Sequence, residues 1–138
     1  MTKAEQLLAL AVRCEEATGA GRELDAAIYQ SLNPTHLPIP NAPVGRFYDP
    51  DMISARGAEK FITRGTFIAP NWSKSLDAAL SLVPGEAMRK SGDSAIGLMG
   101  DFFCDIVIGD GRDFHGNSAN EPLAICAASL RALAAMEA

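Results

Sequence analysis

Apolar residues recur at helical spacing from the start of the chain. Leu7, Leu10, Ala11, Cys14 and Ala17 form one stripe, with charged residues between them. Such a stripe predicts an amphipathic helix with one buried side. Thr2 and Glu5 stand in a T-x-x-E relation, in which each side chain satisfies a backbone N–H that the first helical turn leaves free. Gly19 and Gly21 end the segment, with a left-handed residue expected at Gly19. A second stripe of Leu24, Ala27, Ile28 and Leu32 predicts a helix over 22–32. The short glycine link makes the two helices antiparallel or sharply angled.

A third helix is predicted in "PNWSKSLDAALSLVP" (70–84). Asn71 is its N-cap, Trp72, Leu76, Ala79, Leu80 and Val83 share a face, and Pro84-Gly85 stop it. Its centre, "SLDAAL", nearly repeats "ELDAAI" at 23–28. An early aspartate favours the helix dipole, apolar residues four apart make the buried stripe, and alanines between them permit close approach. Those constraints alone generate the likeness, which does not extend further, so it marks two helices under one packing demand and no duplicated unit. The fourth helix is "SANEPLAICAASLRALAAM", with Leu123, Cys126, Ala127, Leu130 and Ala134 facing inward. Ser118 or Asn120 caps it, and Pro122 falls where the first turn tolerates proline.

Between these helices the period changes to two. Phe102, Cys104, Ile106 and Ile108 alternate with Phe103, Asp105 and Val107, which predicts a strand with one strongly apolar face. Residues 94–99 are expected to pair with it through a turn at Gly100-Asp101, and 86–90 to add a third strand. Asp110-Gly111 is a turn signal. "FITRGTFIA" (61–69) reads as two short strands around Arg64-Gly65 or one strand with a glycine bulge. Residues 33–50 differ in kind, because Pro34, Pro38, Pro40, Pro43 and Pro50 are five of the chain's 8 prolines. They predict an extended loop, long enough to be functional or disordered, with a plain surface-hugging connector as the simplest reading. The fold class is therefore α+β: a single domain over 1–138, built as a layered helix–sheet–helix sandwich with a small, mainly antiparallel sheet and about four helices.

Charge narrows the function classes. Seventeen acidic against 12 basic side chains give a net charge of −5, and the basic residues are scattered. A phosphate-tracking surface needs a basic stripe, so nucleic acid is not an expected partner. No apolar run approaches the ~18 residues of a membrane span. The opening segment carries early acidic residues and no small-residue cleavage site, unlike a signal peptide. Cys14, Cys104 and Cys126 are far apart and lie on apolar faces, so reduced thiols and a cytoplasmic location are expected.

Candidate chemistry is sparse. His36 lies in the proline-rich loop, and His115 lies in "GDGRDFHGNS", where Asp110, Arg112, Asp113, His115 and Asn117 crowd into eight residues. A histidine oriented by a carboxylate can act as a general base near neutral pH. The same residue types are what a strand-to-helix turn requires, so His115, Asp113, Asp110 and Asn117 stand as a candidate site with no catalytic residue assigned. The EF-hand spacing is not met, no cysteine pair has zinc-finger spacing, and neither a phosphate loop nor a nucleophile elbow occurs. Asp93, Asp101 and Asp105 read as a solvated sheet edge, and "GLMGDF" as a bulge or turn. No metal or cofactor is expected. Trp72, Pro38, Pro40 and Pro43 are candidate partner-binding positions, with a core-lid role as the alternative for Trp72.

"EEATGAGRELDAAI", then "SLDAALSLVP", then "PLAICAASLRALAA", in that order, resemble the phage ABA sandwich domain, a family of small proteins of tailed phages and of prophages in proteobacteria. The resemblance implies a layered helix–sheet–helix domain of phage or prophage origin, and no activity. Ala87 and Met88 stand where members often carry an aromatic, and the insert at 33–69 is longer than the family's. The resulting expectation is a non-enzymatic accessory protein that binds a phage or host protein, or a second copy of itself as a homodimer. A small hydrolase using the His115 loop is the alternative, followed by a nucleic-acid binder or mimic.

Overall fold

A computed structural model describes residues 2–60, 64–85, 87–93 and 102–137, with 91–93 described by backbone alone. Helix α1 (Lys3–Glu16) starts at the expected capping box: Thr2 Oγ1 accepts from Glu5 N at 3.2 Å, and Glu5 Oε1 accepts from Thr2 N at 3.4 Å. It buries Leu7, Leu10, Ala11 and Cys14. The chain leaves α1 at Ala17 through extended backbone, with Ala17 N–H donating to Arg13 O, so no left-handed turn is needed at Gly19. Helix α2 (Arg22–Leu32) has the expected bounds.

The proline-rich segment is more ordered than a plain extended loop. It contains β1 (Leu37–Pro38) and β2 (Arg46–Tyr48), which pair antiparallel. A short helix α3 (Ala55–Lys60) follows, and then β3 (Thr66–Ile68) completes a first sheet in the order β1-β2-β3. The turn expected at Arg64-Gly65 does precede a strand, and Gly65 takes the positive φ of 96° that favours glycine. Residues 61–63 of that prediction lie outside the described residues.

Helix α4 (Leu76–Leu80) is much shorter than the predicted 70–84. Ser75, and not Asn71, caps it by accepting from Ala78 N at 3.2 Å. The Asn71 carbonyl instead closes a separate turn, taking the N–H groups of Lys74 and Ser75. Rotating the helix start moves Leu76 to the surface and brings Leu82 into the core.

The second sheet, in the order β4-β5-β6, is formed by β4 (Met88–Asp93), β5 (Phe102–Val107) and β6 (Asp113–Ser118). The strand at 94–99, the turn at 100–101 and most of "GLMGDF" lie outside the described residues. β4 pairs directly with β5, from Met88↔Val107 to Asp93↔Phe102. "GDGRDFHGNS" is not a strand-to-helix loop. It is a tight turn at 108–112, with Gly111 at φ 89°, followed by β6.

The last helix, α5 (Glu121–Met136), is capped by Asn120, whose Oδ1 accepts from Leu123 N at 2.8 Å. It is buried on every side: all residues from Leu123 to Leu130 have no exposed surface. Phe102, Cys104 and Ile106 of β5, with Phe114, Gly116 and Ser118 of β6, face it from one direction, and α1 and α4 close it from the other. The α+β class and the stacking of helices on a small antiparallel sheet are as expected. Among the described residues there are five helices and two three-stranded sheets, and the layers run from the second sheet through α5 to α1 and α4, a sheet–helix–helix order in place of the expected helix–sheet–helix. Among the described residues no helix is long and apolar enough to cross a membrane.

The alanine-rich face of α5 lets β6 come very close. A Cβ at Gly116 would lie 2.7 Å from Ala128 N, 2.9 Å from Ala127 Cβ, and closer still to the Ala124 carbonyl. The backbone atoms of a buried helix cannot yield to it, so Gly116→Ala is expected to cost about 2–3 kcal/mol. Gly19→Ala, where an added Cβ meets nothing within 4 Å, should stay within about 0.5 kcal/mol. Urea unfolding of the two variants checks the contrast.

The two aspartates of the repeated hexapeptide have different fates. Asp77 is exposed in the first turn of α4, whereas Asp25 in α2 is 1% exposed. Asp25 Oδ1 accepts from Ser73 N at 2.8 Å, and Oδ2 from Arg22 Nη1 at 3.1 Å. Ser73 exchanges hydrogen bonds with Gly21, and its carbonyl accepts from Asn120 Nδ2 at 3.3 Å. Asp25 and Ser73 together thus join the α1–α2 link, the segment before α4 and the start of α5. Asp25→Ala leaves the buried Ser73 N–H without its acceptor, while Arg22 keeps Asn71 Oδ1 and the Pro70 carbonyl, and is expected to cost about 2 kcal/mol. Asp77→Ala should cost under about 0.5 kcal/mol, read from the same denaturation curves.

Candidate functional site

The residue register of the second sheet places Lys90, Asp105 and His115 side by side across its three strands. His115 Nδ1 lies 2.6 Å from Asp105 Oδ1. An ionised carboxylate can only accept, so Nδ1 carries the proton and Nε2 is left free. Alternation along β6 puts Asp113 and Asn117 on the same outer face as His115. Asp110 is elsewhere, in the turn before β6, where it pairs with Arg112 at 2.6 Å. The Arg112 backbone N–H, followed by its guanidinium, holds the Asp110 carboxyl below the usual range. Three of the four predicted site residues therefore share a face, but the carboxylate that orients His115 is Asp105.

This pair has the parts of a proton acceptor and little else. The side chains of His115 and Asp105 are 55% and 45% exposed on an open sheet surface, where water screens the charges that catalysis would need concentrated. The cysteines offer no nucleophile. Cys14, Cys104 and Cys126 converge in the core with no exposed surface. Burial pushes the Cys104 thiol up to about 11, and contact with the Cys14 thiol, together with burial, raises Cys126 well above its ordinary value. A thiol so raised is not ionised at neutral pH and is unreactive. Among the described residues no three His, Cys, Asp or Glu side chains are grouped to hold a metal ion. Of the three aspartates expected at a solvated sheet edge, Asp101 and the side chain of Asp93 fall outside the described residues.

Trp72 presents no surface. It is 5% exposed, donates from Nε1 to Ser81 Oγ at 3.1 Å, and accepts at its carbonyl from the Cys126 thiol at 3.3 Å. It forms the lid of an aromatic cluster in which Tyr29 stacks on Phe47 at 4.6 Å and His36 stacks on Phe67 at 4.6 Å. The Tyr29 hydroxyl is 2.8 Å from His36 Nδ1, and His36 Nε2 faces Asp49 Oδ2 at 4.0 Å. Burial, helped by the Asp49 carboxylate, raises the Tyr29 phenol above its ordinary value. This Tyr29–His36–Asp49 chain was invisible in the sequence. It ties the proline-rich segment to α2, together with a hydrogen bond from Gln30 Nε2 to the His36 carbonyl.

With its start anchored in this way, the proline-rich segment folds over α3 and encloses a groove of about 420 Å³. Ile39, Pro40, Ala42 and Pro43 line one wall, and Ala58 and Glu59 line the other. Asn41 turns the chain at the rim with a φ of 60°, and its side-chain amide donates to Glu59 Oε1 at 3.3 Å. Of the candidate binding prolines, Pro40 and Pro43 line the groove, and Pro38 is exposed on β1 beside it.

A bidentate pair joins the end of α1 to α5. Arg131 Nη1 and Nη2 donate to Glu15 Oε2 and Oε1 at 2.8 and 2.5 Å. The same groups reach β6: Arg131 Nη1 donates to the His115 carbonyl at 2.7 Å, and Asn117 N donates to Glu15 Oε2 at 3.1 Å. Arg131 above all, opposed by burial and aided by Asn117, holds the Glu15 carboxyl below its ordinary value. A carboxyl depressed in the folded state contributes stability that is whole above its unfolded pKa and is lost as pH falls through the folded one. Wild type should therefore lose on the order of 1 kcal/mol more than Glu15→Gln as pH is lowered from about 5 to 3. Stability against pH, measured by urea denaturation of both proteins, checks this. Compared with protein families, curated proteins and solved structures, the chain matches none of them.

Proposed function

We propose that this chain is a small, non-enzymatic accessory protein of a phage or prophage that acts by binding another protein through its proline-rich segment. The observation that carries this reading is the groove under that segment. Its volume falls in the ~300–1,000 Å³ range of built clefts. It is held open by a structured loop, with Ile39, Pro40, Pro43 and Ala58 as apolar lining among charged residues, Asn41 fixed at the rim, and the aromatic cluster anchoring one end. The order of the helix signatures supports a phage or prophage origin.

A hydrolase built on His115 has one observation in its favour, the 2.6 Å contact with Asp105. Against it stand the open setting of that pair and the buried state of all three thiols. Self-association through the outer sheet face is limited by area. Three strands of six residues, at about 4.8 Å between strands and 3.4 Å per residue, offer roughly 300 Å². A stable interface takes about 800 Å² from each partner, so this face alone supports at most a transient homodimer contact.

The test is a pull-down with tagged protein from a lysate of the lysogenic host. The wild type and a His115→Ala variant are expected to retain the same stoichiometric partner. A variant with Pro34, Pro38, Pro40 and Pro43 replaced by serine should lose it. Retention by the loop variant and loss by His115→Ala would reverse the assignment.

A further inference from the structure

Two cations face the groove without an anion. Arg46, half-buried in β2, and Lys60, at the end of α3, both line it. Among the described residues neither makes an ion pair or a side-chain hydrogen bond. The nearby carboxylate, Glu59, takes the amide of Asn41 instead of either cation. A partly desolvated guanidinium is costly to leave unpaired, and its planar fork fits a carboxylate with two hydrogen bonds. The remaining walls, Ile39, Pro40, Pro43 and Ala58, are apolar, and the prolines remove backbone donors that would otherwise compete for the bound group. The groove thus combines apolar walls with two positive charges and one negative, Glu59, which leaves it net positive in a chain whose net charge is −5.

We infer that the groove binds an acidic segment of a partner protein, with an apolar side chain seated against Ile39 and the prolines and carboxylates held by Arg46 and Lys60. This rests on the interaction reading given above and names the chemistry of its partner. An acidic partner would be repelled by most of this chain's surface, so the attraction is confined to one place and specificity follows from the repulsion elsewhere.

The experiment is selection of random dodecapeptides on the immobilised, folded chain, repeated with the double variant Arg46→Glu/Lys60→Glu after its thermal melting has been compared with wild type. The expected pool from wild type is rich in Asp and Glu around one apolar residue. A synthetic peptide from that pool should bind the variant at least about tenfold more weakly, and should weaken as salt is raised. The charge-reversed variant should in turn select Lys- and Arg-rich peptides, which a merely structural role of the two residues would not produce. Peptides without acidic bias, or peptides whose binding ignores the double substitution, would overturn the inference while leaving an interaction protein. Equal competition by inorganic phosphate would overturn it in favour of a simple anion site. An empty selection would count against the groove and the interaction reading together.

Discussion

A helix that is apolar around its whole circumference from Leu123 to Ala128 cannot lie at a surface, and the rest of this protein is arranged to surround it. Helix α5 supplies alanine wherever a neighbour comes close and Leu123, Ile125 and Leu130 where space must be filled. The second sheet covers it on one side, while α1 and α4 cover the other. Small residues on both partners set the separations. Gly116 on the strand and Ala124, Ala127 and Ala128 on the helix form a contact with no slack for a single added methyl group.

That enclosure leaves polar backbone groups at the ends of the packed elements, and a few side chains satisfy them. Asp25, Ser73 and Asn120 meet where three segments converge near the start of α5. Each comes from a different part of the chain, so the junction forms only when the tertiary fold does. Further out, the Tyr29–His36–Asp49 side chains, with Gln30 on the His36 carbonyl, tie down the proline-rich segment, turning what proline would leave as an extended excursion into the wall of a groove.

Much of the helical architecture is legible in the residues. Capping box, apolar period and glycine link define α1 and α2 because each signal is local and all agree. The start of α5 is legible for the same reason, but its complete burial is not, since alanine is accepted on either kind of face. The long version of α4 fails because two cap residues, Asn71 and Ser75, lie four apart and local sequence does not rank them. Strand β6 hides behind "DFHGNS" because its inward positions are Phe114, Gly116 and Ser118, and the glycine that resembles a turn is demanded by contact with α5. Likewise "ARGAEK" has no stripe by which α3 could be recognised. The candidate site divides the same way. The local crowding around His115 was visible, but its partner Asp105 is ten residues away on the neighbouring strand. The groove needs residues from β2, α3 and the loop at once.

The contacts made by Glu15 and Arg131 also bear on how this chain behaves in a crowded cell. Among the described residues β6 is the last strand of its sheet, and a last strand offers unpaired N–H and C=O groups to any extended chain that passes. Here two of those groups, the Asn117 N–H and the His115 carbonyl, are already occupied by a carboxylate and a guanidinium. The pair imitates the hydrogen bonds of a missing strand with side chains that cannot be extended into another one. Among the described residues β4 forms the opposite border and carries Arg89 and Lys90, and charge at such a border discourages pairing with further copies. An edge already occupied in this way is a poorer template for a further strand.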